Sequence, residues 1–313
     1  MLGILLVGFE RFDFLQENLD LVRRLPSSDF SFYISIDGPK TNSGENSILR
    51  KDLSTLIKSS ESLKSNNFVH SQNMGCDKHI SWAINWVLQE CESVIVIEDD
   101  VRMSSDALLA MMRKLQNRKE GDKPKVILGI STLFSPFDFL SWNFWRFTRY
   151  FSAWGYGLNR EFWKLHQEST SNVVKGMDWN DFFSTSNYWS KLSKRKRELW
   201  KERFLRGNYD YAIQATMFRF NIYASAPALR MVDNVGHGLE AATHTRFQEP
   251  CFLRYRVSKK DFRFLNPSGI ASHLNFLFNF LDSNSWAGEG LLTSRGRTIG
   301  VRTIFSRKIK WLD

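Results

Sequence analysis

Three consecutive carboxylates, Glu98-Asp99-Asp100, follow directly on four apolar residues, Val94-Ile95-Val96-Ile97. Adjacent anions repel one another. A positive partner is needed to make the cluster tolerable, and a divalent cation is the simplest one. Hard oxygen ligands suit Mn2+ or Mg2+. A cation carried on one or two carboxylates fills its shell with phosphate oxygens and water, which is the donor set of a nucleoside diphosphate site. A plainer reading competes: an acidic turn before a helix whose N-cap is Ser104 or Ser105. Spacing alone leaves both open.

The elements that must position this cluster are legible in the first hundred residues. LGILLVG (2–8) is a continuous apolar run, as a buried parallel strand requires. Residues 12–25 carry Phe14, Leu15, Leu19, Val22 and Leu25 near helical spacing, and Pro26 stops them. SFYISI (31–36) reads as a second strand closed by Asp37-Gly38-Pro39, 45–60 as a helix, and 67–70 as a short third strand. Residues 77–90 place Ile80, Ala83, Ile84, Val87 and Leu88 on one helical face, and SVIVIE (93–98) is a fourth strand. This β-α alternation predicts an α/β fold with a mostly parallel central sheet flanked by helices. Ligands of such sheets bind at the carboxyl ends of the strands. Those ends hold Glu10-Arg11, Asp37-Gly38, Gln72-Asn73 and the acidic triplet. Beyond residue 103 the pattern predicts helices at 104–118, 159–166, 191–206 and 210–220. It predicts strands at 125–130, 149–158 and 222–232, with loop over 170–190.

The 313 residues are 42% hydrophobic and 24% charged, enough apolar surface for a true core, and wholesale disorder is excluded. The 26 Phe, 11 Trp and 8 Tyr serve either as core or as stacking platforms in a cleft. Cys76, Cys91 and Cys251 are too few and too scattered for a disulfide framework or a Cys-based zinc site. The apolar segment MLGILLVGF is too short to span a bilayer, which takes ~20 residues. The chain reads as cytoplasmic, able to rest on the inner face of a membrane.

The block NMGCDKHISWAINWVLQECESVIVIEDDV (73–101) resembles the nucleotide-sugar block of GT-A glycosyltransferases. It is closest to the N-acetylglucosaminyltransferase I family and related bacterial sugar transferases. There an N-x-G segment and a helix precede a strand ending in E-D-D, a version of the D-x-D motif. Gly8-Phe9-Glu10-Arg11 and Ser35-Ile36-Asp37-Gly38 are similar to that family's turns after strands one and two. SAWGYGLNREFW (152–163), NYDYAIQ (208–214) and DNVGHGLEAATHT (233–245) resemble later segments in the same order.

The resemblance implies a Rossmann-like nucleotide-sugar-binding half (1–102), an acceptor-binding half (103–247) and a basic C-terminal extension (248–313). It implies that Arg11 and Asp37 hold the base and ribose, and that Asn73 and Gly75 border the donor pocket. Asp100 would bind the metal, while Asp99 and Glu98 position the ribose and the hydration shell of the metal. His244 would sit in a loop closing over the diphosphate, and His244 or Lys78 would add a donor to the leaving group. Asp210 would be the general base. Asn208-Tyr209 stands where the family has Trp before the acid, which leaves Asp178 and Asp181 as rivals. The implied reaction moves a hexosyl or N-acetylhexosaminyl unit from a nucleotide-sugar donor, UDP-linked by resemblance, to an acceptor hydroxyl with inversion. The acceptor would be a glycan or lipid-linked glycan of bacterial origin.

Each role has a plainer rival: Arg11 as a helix-start ion pair, Asp37-Gly38-Pro39 as an ordinary turn, Asp210 as an N-cap. Residues 191–206 carry eight basic and two acidic side chains, and 295–310 add six basic ones. Together these segments exceed the formal net charge of +10, so the remainder is slightly acidic. The first segment, with Trp200 and Phe204, has the composition of a helix lying on anionic lipid, or of a solvated face. No nucleic-acid-binding module is present. Two other classes compete: a basic membrane- or nucleic-acid-binding protein on an α/β scaffold, and a sugar nucleotidyltransferase. The latter usually has a Gly-rich phosphate loop, which GFERFDF (8–14) lacks.

Overall fold

The computed structural model describes residues 1–26, 28–39, 55–116, 123–130, 145–173, 178–205, 208–227 and 231–235. The strand β1 (Leu2–Gly8) lies between parallel neighbours β2 (Ser31–Ile36) and β4 (Ser93–Glu98) and is buried at all positions. A strand covered on both faces has to be apolar throughout, and this one is. Leu2, Ile4 and Leu6 point into one core layer, Leu5 and Val7 into the other. The short edge strand β3 (Asn66–Val69) completes the parallel part.

The first layer is covered by α1 (Phe12–Arg23) and α4 (Ser105–Leu115), the second by α3 (Cys76–Glu90) and α9 (Tyr209–Arg219). Helix α2 occupies residues 55–60. The expected inner face of α3, Ile80, Ala83, Ile84, Val87 and Leu88, is the buried one.

The second half adds β6 (Val126–Leu128), β7 (Trp145–Thr148), β8 (Tyr156–Asn159) and β9 (Ala224–Pro227) to the same sheet. The order is β3-β2-β1-β4-β8-β6-β9-β7. β8 is antiparallel to β4 and β6, and β7 to β9, so six of the eight strands share one direction. A separate antiparallel pair joins β5 (Val101–Met103) to β10 (Val232–Asn234).

Helix α5 (Arg160–Val173) packs on α9. Three further helices, α6 (Trp179–Phe182), α7 (Asn187–Lys191) and α8 (Lys194–Leu205), gather Phe182, Phe183, Trp189, Trp200 and Phe204 into a third core.

Several expectations are corrected. The strand expected at 149–158 is two segments: Tyr150–Trp154 is irregular, and Gly155 (φ +61°) turns the chain into β8. The loop expected at 170–190 contains the end of α5 and two short helices. The side chains of Asp178 and Ser186 cap these by accepting from the N–H groups of Asn180 and Trp189. The strand expected at 222–232 is β9 and β10, in different sheets. β5 carried no sequence signal, being three residues long. The lipid-facing reading of 191–206 loses its apolar side, because Trp200 and Phe204 are buried in the third core. The extension 248–313, Cys251 and His244 lie outside the described residues. Among the described residues no helix is long and apolar enough to cross a membrane.

Candidate active site

Parallel strands in register end together. Val7 of β1 pairs with Glu98 of β4, so the residues following each strand meet above the sheet. There the Phe9 N–H donates to Asp99 Oδ2 (3.3 Å), and Arg11 Nη1 reaches both Asp99 Oδ1 (2.9 Å) and Asp100 Oδ2 (3.1 Å). The three side chains are 19%, 13% and 19% exposed, which places this ion triad at the edge of the interior.

The acidic turn is held from two directions. Asn18, buried on α1, donates to the carbonyl of Val101 (3.0 Å). The Val235 N–H, just past β10, donates to the carbonyl of Asp100 (2.8 Å). Ser104 caps α4 by accepting from the Ala107 N–H (3.1 Å), so the capping role falls to the serine and leaves the acids unspent.

From the other core layer, α9 brings its first turn to the same place. The Tyr209 hydroxyl donates to Glu98 Oε1, and the Tyr209 N–H donates to Asp77 Oδ1 on α3 (2.7 Å). The next residue is Asp210, whose charge acts on Glu98. Burial pushes the Glu98 carboxyl well above its ordinary range. The charges of Asp100, Asp99 and Asp210 add to this, and the Tyr209 hydrogen bond opposes it. Asp99 is pushed up to about 6 by burial and by Asp100, against the pull of Arg11 and the Phe9 N–H. Burial works against the charge on Arg11, yet Asp99 and Asp100 together hold its pKa above the ordinary value.

Asp37 follows β2 and is buried. Its Oδ1 accepts from the N–H groups of Gly38 and Met74 (both 2.8 Å), and its Oδ2 from the Gly75 N–H and Asn73 Nδ2 (both 3.1 Å). Both oxygens are therefore engaged by the chain, and the carboxylate builds the loop that launches α3. Two glycines are required here. A Cβ on Gly38 would come within 2.3–2.6 Å of the Gln72 backbone. Gly75 has φ +80°, a backbone conformation that favours glycine, and open space where a side chain would be.

Among the expected site residues, the structure brings together Arg11, Glu98, Asp99, Asp100 and Asp210, and joins Asp37, Asn73 and Gly75 in an adjoining loop. Lys78 is exposed on the first turn of α3. Asp178 caps α6 and Asp181 is exposed on that helix. The charges acting on Glu98 are those of Asp100, Asp99 and Asp210. Sequence reasoning missed Asn18, Asp77 and Tyr209. Two of them left a trace: Asn18 as a polar residue in the buried stripe of α1, and Tyr209 as a departure from the family's Trp before the acid.

The donor set suits a dication of modest protein coordination. Among the described residues no three His, Cys, Asp or Glu side chains are grouped to enclose a metal. Arg11 faces two carboxylates, Asp99 and Asp100, so the acidic turn is not fully neutralised by the chain. Asp100 can offer hard oxygen while exogenous phosphate oxygens and water supply the rest.

No protein-family model matches the chain, and no curated protein matches it in sequence. Among solved structures, it is similar to Staphylococcus aureus TarS residues 1–349 at 11% identity and a TM-score of 0.42, covering 72% of this chain and 58% of that one. The mannosyltransferase PcManGT of Pyrobaculum calidifontis, in complex with GDP-Man and Mn2+, aligns at 11% identity and a TM-score of 0.39, covering 71% and 72%. A 4-diphosphocytidyl-2C-methyl-D-erythritol synthase from Anaerococcus prevotii aligns at 10% identity and 0.34, covering 59% and 82%. The alignment to longer TarS covers 21% of that chain. Likeness of this degree carries no argument about chemistry.

Proposed function

We propose that the chain is a GT-A-type glycosyltransferase. It takes a nucleoside-diphosphate sugar, with UDP the favoured nucleotide, and transfers the sugar to an acceptor hydroxyl with inversion. Residues 1–102 form the donor half and 103–247 the acceptor half, in the assembly of a bacterial glycan or lipid-linked glycan. The observation that carries this reading is the acidic turn at the carboxyl end of β4, held against Arg11 on one side and the start of α9 on the other.

The acceptor oxygen attacks the anomeric carbon while the bond to the diphosphate breaks, and the nucleoside diphosphate leaves with the bonding electrons. The acceptor proton passes to a carboxylate within hydrogen-bond reach, which is the role assigned to Asp210. Asp100 would hold Mn2+ or Mg2+, which as a Lewis acid stabilises the charge growing on the leaving diphosphate. Glu98 and Tyr209 fix the start of α9, and so the base, relative to β4. The Asp37 loop shapes the wall of the donor cleft through Gly75. His244 and Lys78 are further candidates for contact with the diphosphate. The alternative of a basic binding protein has no use for buried converging carboxylates, and the burial of Trp200 and Phe204 removes the apolar face a lipid-lying helix uses.

A thermal-shift screen of nucleoside diphosphates with and without Mn2+ tests this reading. UDP with Mn2+ should raise the melting temperature by a few degrees at ligand about 100-fold above Kd, and UDP with EDTA should not. Asp100→Ala should lose both this shift and nucleotide-sugar turnover, by about a thousandfold or more. A metal-dependent shift that survives Asp100→Ala, or none with any nucleotide, refutes it.

A further inference from the structure

The acidic turn already holds a cation that belongs to the chain. A single nitrogen, Arg11 Nη1, lies 2.9 Å from Asp99 Oδ1 and 3.1 Å from Asp100 Oδ2. Asp99 is fully committed by this contact and by the Phe9 N–H on its other oxygen. Asp100 has a different standing. Its carbonyl is fixed by the Val235 N–H, while its carboxylate meets the chain through Arg11. Arg11 itself is the N-cap residue of α1, three positions past the end of β1, and its carbonyl accepts from the Leu15 N–H (3.1 Å), which ties its backbone to the helix.

The geometry points to Arg11 as a resident counter-ion that competes with a dication for Asp100, making metal binding depend on the nucleotide. This rests on the proposed assignment of Asp100 as the metal-binding carboxylate. A dication approaching the free protein meets a fixed positive charge on the oxygen it needs. Like charges at contact distance in a half-buried site oppose each other strongly. A nucleoside diphosphate relieves both parts of the conflict. Its phosphate oxygens complete the dication's shell, and its negative charge gives the guanidinium, still tied to Asp99, a second anion in place of Asp100. Metal and nucleotide then bind with positive coupling, and by linkage each raises the other's affinity by the same factor.

The test is Mn2+ binding, followed by the loss of the free-ion electron paramagnetic resonance signal. It uses the full chain with and without UDP, and needs no turnover. Wild type should bind Mn2+ weakly alone and at least tenfold more tightly with UDP. Arg11→Met, which removes the charge, should bind Mn2+ alone at least tenfold more tightly than wild type, and UDP should add much less. Arg11→Lys, which keeps a charge, should stay near wild type. Arg11→Gln replaces Arg11→Met should the latter fail to fold by circular dichroism. Unchanged or weaker nucleotide-free binding in the charge-removing variant overturns the inference. So does tight Mn2+ binding by the wild type without nucleotide. In that second case the proposed function stands provided Asp100→Asn abolishes the binding. If Asp100→Asn leaves Mn2+ binding unaltered in both backgrounds, the assignment of Asp100 fails and the inference falls with it.

Discussion

The parallel half of the sheet and the aromatic helical cluster solve burial in opposite ways. Around β1 and β4 the core is aliphatic and layered. Leu, Ile and Val alternate between two faces, and each covering helix offers one stripe. Around α6, α7 and α8 the core is made of rings: Phe183 stacks on Trp189 at 4.1 Å, and Trp200 lies flat on Phe204 at 5.5 Å. α9 belongs to both. Tyr209, Ile213 and Met217 face the sheet layer, while Ala215 and Phe218 face the rings. A few large rings close a core between short segments that could not bury a periodic stripe. The candidate base is thus carried by a helix clamped between two unlike cores.

Breaking the ring cluster gives the largest expected effect. Phe183→Ala should destabilise the protein by about 3–5 kcal/mol in urea denaturation, since it removes a fully buried ring. The residual folded protein should still bind nucleotide but transfer sugar poorly, because α9 loses its backing. Equal loss of both would mean that the two regions do not divide the work.

Acid titration sharpens the contrast. His166 on α5 is buried, with its pKa lowered to about 4 by burial. Thr216 Oγ1 donates to the Ala212 carbonyl, so it accepts from His166 Nδ1 (3.0 Å), which assigns the proton to that nitrogen. Unfolding lets this ring protonate. Stability is full above pH 6.5 and falls as pH drops toward 4, by about 3 kcal/mol. Asp99 has the opposite sign. Its folded pKa of about 6 exceeds the ordinary 3.8, so its contribution declines as pH rises across that window, by about 2–3 kcal/mol. His166→Gln should flatten the acid limb of a stability–pH curve. Asp99→Asn should gain on wild type as pH rises from 4 to 7 in metal-free buffer. A wild type whose acid limb is unaltered by His166→Gln would reject the burial argument for that ring.

The smallest effect is expected at the seam. Tyr209→Phe removes one hydroxyl from Glu98 and keeps the ring, a loss of about 1–2 kcal/mol. Sugar transfer should show kcat lowered about tenfold with the donor KM little changed, as expected for a group that positions the base. A raised KM with normal kcat would instead place Tyr209 against the donor.

The parallel half was legible because its burial is periodic. LGILLVG and SVIVIE could hardly be anything but covered strands, and the inner face of α3 follows from spacing alone. The acidic turn was legible because three adjacent anions are chemically conspicuous. The aromatic helical cluster was not. Its helices α6 and α7 are four and five residues long, shorter than any repeat that announces a helix. Their N-caps gave no sign of capping: Asp178 stood out only as a rival base, and Ser186 as one more serine in a Ser/Asn-rich stretch. α9 hid its role because burial on two sides erases the stripe. The engagement of Asp37 by four hydrogen bonds depends on a loop that closes from another strand end, which spacing does not disclose.

The pairing of β5 with β10 sets a schedule for synthesis. The four parallel strands β1 to β4 are all synthesised once residue 98 leaves the ribosome. The turn carrying the acids is held early by Phe9, Arg11 and Asn18, but its second fastening, the β5–β10 pair and the Val235 N–H, comes from residues more than 130 positions later. A fragment that stops short of that point would keep the Arg11 and Asn18 contacts of the acidic turn and lack the strand pair and the hydrogen bond that hold its far side.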